Sequence, residues 1–286
     1  AWNFIRKLKP VAVFANQQSQ LPFMLDVLPG HLNKINILHK NFESRTAWKM
    51  LSKYGERADI TISVSREIRE LAAKAGLEEK QIEVIPCGIF YPENVRKGKW
   101  NDLSEVRFCY AGRLTKDGKN VLDFLDVFAI LDNYHEQHPI GFTMIGSGPL
   151  QEQLEKEVIA RNYRIKVRFL GRLSPDQLQA ELSKAHFYLT VSGAEGMPIS
   201  VREAMAHAVI PIATDIKAHT EIIRDNVNGF IFPLKDYAKL KSVIERVLNT
   251  PTENLESCAM QAREDMISHS RDKIAAQYAR LLTVEN

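Results

Sequence analysis

Short apolar runs alternate with amphipathic helical stretches along the whole sequence. Residues 106–111 and 187–191 are typical of the former, and each is followed by a segment whose apolar residues recur at helical spacing. Successive strands separated by a helix pair in parallel, and the helices then cover the faces of the sheet. The fold class is therefore α/β. In the first third the expected strands are 11–15, 35–39, 60–64 and 83–86. Between the last two, Ser65 reads as an N-cap with Glu67 in the first turn, opening a helix that runs to Ala75 and stops at Gly76. From 106 onward the expected order is strand 106–111, helix 120–134, strand 141–145, helix 150–160, strand 166–170, helix 175–184, strand 187–191, helix 199–206 and strand 210–213.

The 286 residues exceed the roughly 150 of a comfortable single domain. The polar stretch 91–104, with Pro92, Gly98 and alternating Lys and Arg, reads as a linker. Three segments follow: a partial N-terminal Rossmann-like domain over 1–95, a C-terminal Rossmann-like domain over 96–268, and a final helix over 269–286 that packs back toward the first domain. The first domain has too few strands for a doubly wound half, which normally carries five or six, so truncation of that domain is expected.

Composition excludes other classes. Hydrophobic residues make up 45% and charged residues 26%, which rules out a disordered, collagenous or coiled-coil chain. No apolar run approaches the roughly 20 residues of a bilayer span. A net charge of +3 is too even to imply a nucleic-acid partner. Cys87, Cys109 and Cys258 lie far apart among apolar neighbours, which suggests buried thiols and a reducing, cytoplasmic setting. The chain opens on Ala1 without a signal-peptide apolar core. Trp2, Phe4, Ile5 and Leu8, interleaved with Arg6, Lys7 and Lys9, read either as a packed helix end or as a basic surface for peripheral contact with the inner face of a membrane.

Three strand-to-helix junctions carry chemistry. The segment 192–206 holds Glu195 and Glu203 with seven residues between them, Gly196 where backbone can approach a ligand, and a helix start whose amides can hold an anion. Taken without its flanks, Glu195 is only a helix-start carboxylate and Glu203 a solvated position. Arg113 and Lys119 flank a glycine-containing turn after strand 106–111, an arrangement suited to a diphosphate and equally readable as a basic loop. The run Gly146, Ser147, Gly148, Pro149 is similar to a phosphate turn, but it lacks the full dinucleotide spacing and alone is a tight turn.

Together with 58–65, 84–89 and 169–171, these junctions form an ordered set from about Ile35 to the C-terminus that resembles the retaining glycosyltransferases of family 4, also called glycosyl transferases group 1. The resemblance implies the GT-B architecture, two Rossmann-like domains facing a cleft. It implies transfer of a sugar from a UDP- or GDP-linked donor to a glycan or lipid-linked acceptor, of the hexosyltransferase type, with retention by front-face attack. No cofactor and no metal are implied, because fixed cations and helix amides take the metal's place. Arg113 and Lys119 would neutralise the diphosphate and Glu203 would accept the ribose hydroxyls. Glu195 would sit beside the donor sugar. Gly112, Gly146, Gly196, Met197, Pro198 and Ile199 would line the donor, and Gly171, Arg172 and Leu173 would border the base.

Three departures from the family pattern stand out. The glycine-rich loop near the N-terminus is missing. Where relatives place an acceptor-side histidine, strand 11–15 is followed by Asn16, and His39 is the poorer substitute. After strand 210–213, side chains over 215–221 replace the usual glycines. A non-catalytic sugar-nucleotide or glycan-binding subunit of the same fold is the alternative. A GT-B nucleotide-sugar epimerase is a third reading, against which Glu195, Gly196, Met197 and Pro198 argue.

Overall fold

A computed structural model describes residues 12–16, 33–39, 58–95, 100 and 104–282. The chain divides into two compact units, Ala1–Gly88 with His269–Asn286, and Ile89–Ser268. In the first unit, β1 (Ala12–Asn16), β2 (Asn33–Leu38), β3 (Ile60–Ser63) and β4 (Ile82–Val84) form a parallel sheet in that order. Helix α1 (Arg66–Lys74) begins where the Ser65 hydroxyl accepts the Ile68 amide and ends at Ala75, followed by Gly76 at φ +111°. Its Ile68 and Ala72 are buried.

The second unit runs β5 (Val106–Ala111), α2 (Phe124–Asp132), β6 (Ile140–Ile145), α3 (Gln151–Arg161), β7 (Lys166–Phe169), α4 (Pro175–Lys184), β8 (Phe187–Thr190) and α5 (Ile199–Ala206). It continues with β9 (Ile210–Thr214), α6 (Lys217–Thr220), β10 (Phe230–Phe232), α7 (Tyr237–Leu248) and α8 (Thr252–Asp265). All strands are parallel, in the order β10-β9-β8-β5-β6-β7. The chain winds outward from β5 through β6 to β7, then returns to the other side of β5 with β8. The order reverses between β5 and β8, and an open sheet has its ligand crevice outside the carboxyl ends of the strands at that point.

Every residue of β8 and β9 is buried, as expected of strands covered on both faces, whereas the edge strand β7 alternates between exposed and half-buried positions. Phe187, Phe108 and Phe142 stand in register across β8, β5 and β6, with ring centroids 5.1 and 6.3 Å apart. Helix α4 opens with a reciprocal capping box between Ser174 and Gln177 and Pro175 at its first position. The last helix, α9 (Arg271–Leu282), belongs to the first unit; its Ile274 is buried, and its Tyr278 ring lies 6.1 Å from that of Phe14.

Several expectations are corrected. The helix expected over 120–134 starts later, because Asn120 takes a left-handed conformation (φ 49°) and a 3-10 turn over Val121–Asp123 precedes α2. The stretch read as a linker is partly core: Trp100 is buried, and the Arg263 guanidinium stacks on Tyr91 while donating to the Pro92 carbonyl at 2.6 Å. Cys109 and Cys258 are buried, but Cys87 is half-buried with its Sγ 3.7 Å from His39 Nδ1. Among the described residues no helix is long and apolar enough to cross a membrane. The apolar and basic residues between Trp2 and Lys9 lie outside the described residues.

Candidate active site

Four turns, those after β5, β6, β7 and β8, meet at the carboxyl edge around the switch point. The turn after β5 lies against the turn after β6: Gly112 donates to the Ile145 carbonyl at 3.0 Å, Leu114 to Ser147 at 3.0 Å, and Leu150 back to Leu114 at 3.1 Å. So close an approach leaves no room for side chains. A Cβ on Gly146, whose φ is +124°, would stand 1.9 Å from the Gly112 carbonyl oxygen, and one on Gly148 would stand 2.3 Å from that of Leu114. The glycines of the 146–149 run are thus required by backbone packing between the turns. Gly146 also donates to the Gly171 carbonyl at 2.7 Å, which ties the turn after β7 into the same edge.

The turn after β5 is laced to the loop after β8. Gly118, at φ +67°, presents its carbonyl to the amides of Gly193 (2.8 Å) and Ala194 (3.3 Å), and Asn120 Nδ2 donates to the Val191 carbonyl at 3.2 Å. This lacing brings Lys119 Nζ against Glu195 Oε1 in an ion pair whose side chains are only 18% and 12% exposed. The sequence assigns these two residues separate tasks, and the structure joins them. Arg113 is exposed on the same turn and has no ion-pair partner among the described residues. Gly196 is half-buried and Met197 and Pro198 are buried. Ile199 opens α5, which has no side-chain cap, and Glu203 is its fifth residue. Beyond β7, Arg172 is exposed and Leu173 packs on the core.

Sequence reasoning missed His219. It is 0% exposed, in α6 directly beyond β9, with Nδ1 3.0 Å from the Thr214 carbonyl oxygen and 3.1 Å from Thr214 Oγ1. A carbonyl only accepts, so Nδ1 carries the proton. Thr214 Oγ1 in turn donates to the Ser192 carbonyl, linking the end of β9 to the loop that carries Glu195. Burial pushes the imidazole pKa down to about 4, with the Glu195 charge opposing the shift and Lys119 adding to it. The signal was present in the replacement of glycines over 215–221.

The two acceptor-side candidates lie in the first unit. His39 follows β2, touches Cys87, and has its pKa lowered by burial. Asn16 is the last residue of β1.

Residues 93–265 match the family described as "Glycosyl transferases group 1", and residues 1–90 match "Glycosyltransferase Family 4". Among curated proteins, the chain is 25% identical over 170 residues to an alpha-D-kanosaminyltransferase of Streptomyces kanamyceticus, covering 59% of this chain and 41% of that protein. It is 24% identical over 241 residues to the putative teichuronic acid biosynthesis glycosyltransferase TuaC of Bacillus subtilis, covering 81% and 57%. The chain thus spans about half the length of these relatives. Among solved structures it shares its fold with HepE of Anabaena in complex with UDP, at a TM-score of 0.82 and 18% identity, covering 99% of this chain and 82% of that one.

Proposed function

Since the chain belongs to the glycosyl transferases group 1 family and has the GT-B fold, we propose that it serves the transfer of a hexosyl group from a nucleotide-diphosphate sugar to a glycan or lipid-linked acceptor, with retention. The observation that carries this reading is the pairing of Lys119 with Glu195 at the switch point, beside an Arg113 with no ion-pair partner among the described residues. Arg113 binds the diphosphate first. Lys119 then exchanges its carboxylate for phosphate, because a diphosphate offers more charge than one Glu. The exchange frees Glu195 to accept hydroxyls of the donor sugar and to face its developing positive charge. Glu203 accepts the ribose hydroxyls, while Gly171, Arg172 and Leu173 border the base. Gly112, Gly146, Gly196, Met197, Pro198 and Ile199 give the donor its backbone surroundings. Two fixed cations and the α5 amides stabilise the leaving diphosphate, so no divalent metal is required. Asn16 and His39 serve the acceptor side. The complex of HepE with UDP supports a uridine donor, although GDP fits the same chemistry.

Calorimetry with UDP and with GDP, in excess EDTA, tests the reading. An ionised carboxylate holding two hydroxyls makes charge-assisted bonds of roughly 1.5–3 kcal/mol each, so Glu203→Ala weakens the preferred nucleotide at least about tenfold. Unchanged affinity in a folded Glu203→Ala chain, or binding that appears only when Mg²⁺ or Mn²⁺ is restored, would overturn it.

A further inference from the structure

The parallel pairing of β5 with β8 consists of Phe108↔Phe187 and Cys109↔Tyr188. β5 runs two residues further, to Ala111, and the side chain of Tyr188 follows it. Its hydroxyl accepts from the Ala111 amide at 3.3 Å, donates to the Ala111 carbonyl at 2.8 Å, and lies 2.8 Å from Ser200 Oγ. A phenol has one proton and two lone pairs. With its proton on the Ala111 carbonyl, it accepts from the amide and from the Ser200 hydroxyl, and its capacity is used up. A side chain here takes over where the ladder stops, and it holds the two strand ends apart at the point where the sheet order reverses.

What it holds are the two sides of the nucleotide site. Ala111 is followed immediately by Gly112 and Arg113. Ser200 is in the first turn of α5, three residues before Glu203 and so on a neighbouring face of the helix. We propose that the Tyr188 hydroxyl is a positioning group for the nucleoside diphosphate, fixing the separation between the turn that carries Arg113 and the helix that carries Glu203. The inference rests on the nucleotide reading above. The phenol itself is fully buried, and it acts through Ala111 on one side and Ser200 on the other.

The test compares wild-type chain with Tyr188→Phe, Ser200→Ala, Ser200→Thr and the Tyr188→Phe/Ser200→Ala pair. Each is titrated with UDP and GDP by calorimetry and followed in parallel by thermal unfolding. Tyr188→Phe removes all three bonds of the hydroxyl and, because the phenol touches the nucleotide only through its neighbours, weakens the bound nucleotide about fivefold, the net worth of a single hydrogen bond. Ser200→Ala weakens it in the same direction, while Ser200→Thr, which keeps the hydroxyl, stays within about twofold of wild type. The double variant is no worse than Tyr188→Phe alone, because the Ser200 contribution runs through the phenol. A lower melting temperature with unchanged nucleotide affinity would reduce Tyr188 to a packing residue and overturn the proposal. If Tyr188→Phe fails to fold, the contrast between Ser200→Ala and Ser200→Thr decides the question, and equal affinities for the two overturn it. Wild-type chain that binds neither nucleotide would remove the function reading itself and this inference with it, whereas binding that no variant alters removes the inference alone.

Discussion

His219 is a neutral imidazole locked into one tautomer by the Thr214 carbonyl, and its pKa near 4 gives a pH dependence whose sign is fixed. In the unfolded chain a histidine binds its proton below about 6.5. Between 6.5 and 4 the unfolded state therefore holds a proton that the folded state does not, and stability falls as the pH drops. The slope approaches 1.4 kcal/mol per pH unit, and the total is on the order of 3 kcal/mol across the window. Above pH 6.5 the residue contributes no pH dependence. Asn at this position can still donate to Thr214 but does not titrate. Denaturant unfolding at pH 7.0 and 4.5 should show a larger loss for wild type than for His219→Asn. His39 titrates in the same direction in the first unit, so only the difference between the two chains is diagnostic. Parallel losses would mean that the imidazole does not supply the effect.

At the level of elements, two glycines with positive φ separate two causes. Gly146 needs glycine because of both its φ of +124° and the Gly112 carbonyl, whereas Gly171 has φ +63° and nothing within 4 Å of an added Cβ. Gly171→Ala meets only the left-handed backbone penalty of about 1 kcal/mol. Gly146→Ala must also push the β5 and β6 turns apart and should cost about 3 kcal/mol or more. Equal shifts in melting temperature for the two would refute the packing account of the edge. The same turns show what a single sequence discloses. Strand 106–111 and helices 175–184 and 199–206 were readable to the residue, because apolar runs, Pro175 and the Ser174 cap mark them locally. β10 and α6, with three and four residues, are shorter than any periodicity can reveal. Helix α7 was legible in principle, since Leu240, Val243, Ile244 and Val247 repeat at helical spacing. The Lys119–Glu195 pair was not. Its partners are 76 residues apart, and they meet only because β8 returns to lie beside β5, a strand order that local pattern does not encode.

On the scale of the molecule, every group assigned to the nucleotide lies in the six-stranded unit, on the turns after β5, β6, β7 and β8 and in α5. The four-stranded unit supplies none of them, although it holds both acceptor-side candidates, His39 and Asn16. A ligand stabilises only the structure that binds it, by about 2.7 kcal/mol at a hundredfold excess over Kd. Saturating UDP or GDP should therefore slow hydrogen exchange unevenly. Protection rises in peptides spanning 106–120 and 187–206, where the lacing around Lys119 and Glu195 and the Tyr188 contacts tighten around the diphosphate. It rises less over 210–220, which holds no group assigned to the nucleotide and meets that edge through the β8–β9 pairing, the Thr214–Ser192 bond and the charges of Lys119 and Glu195 on His219. Peptides spanning 58–75 and 82–88 exchange as they do without nucleotide. Mass spectrometry of exchange with and without nucleotide measures all five regions in one experiment. Equal slowing in the first unit would show that nucleotide binding is not the business of the second unit alone, and the division of donor and acceptor roles between the two sheets would have to be redrawn.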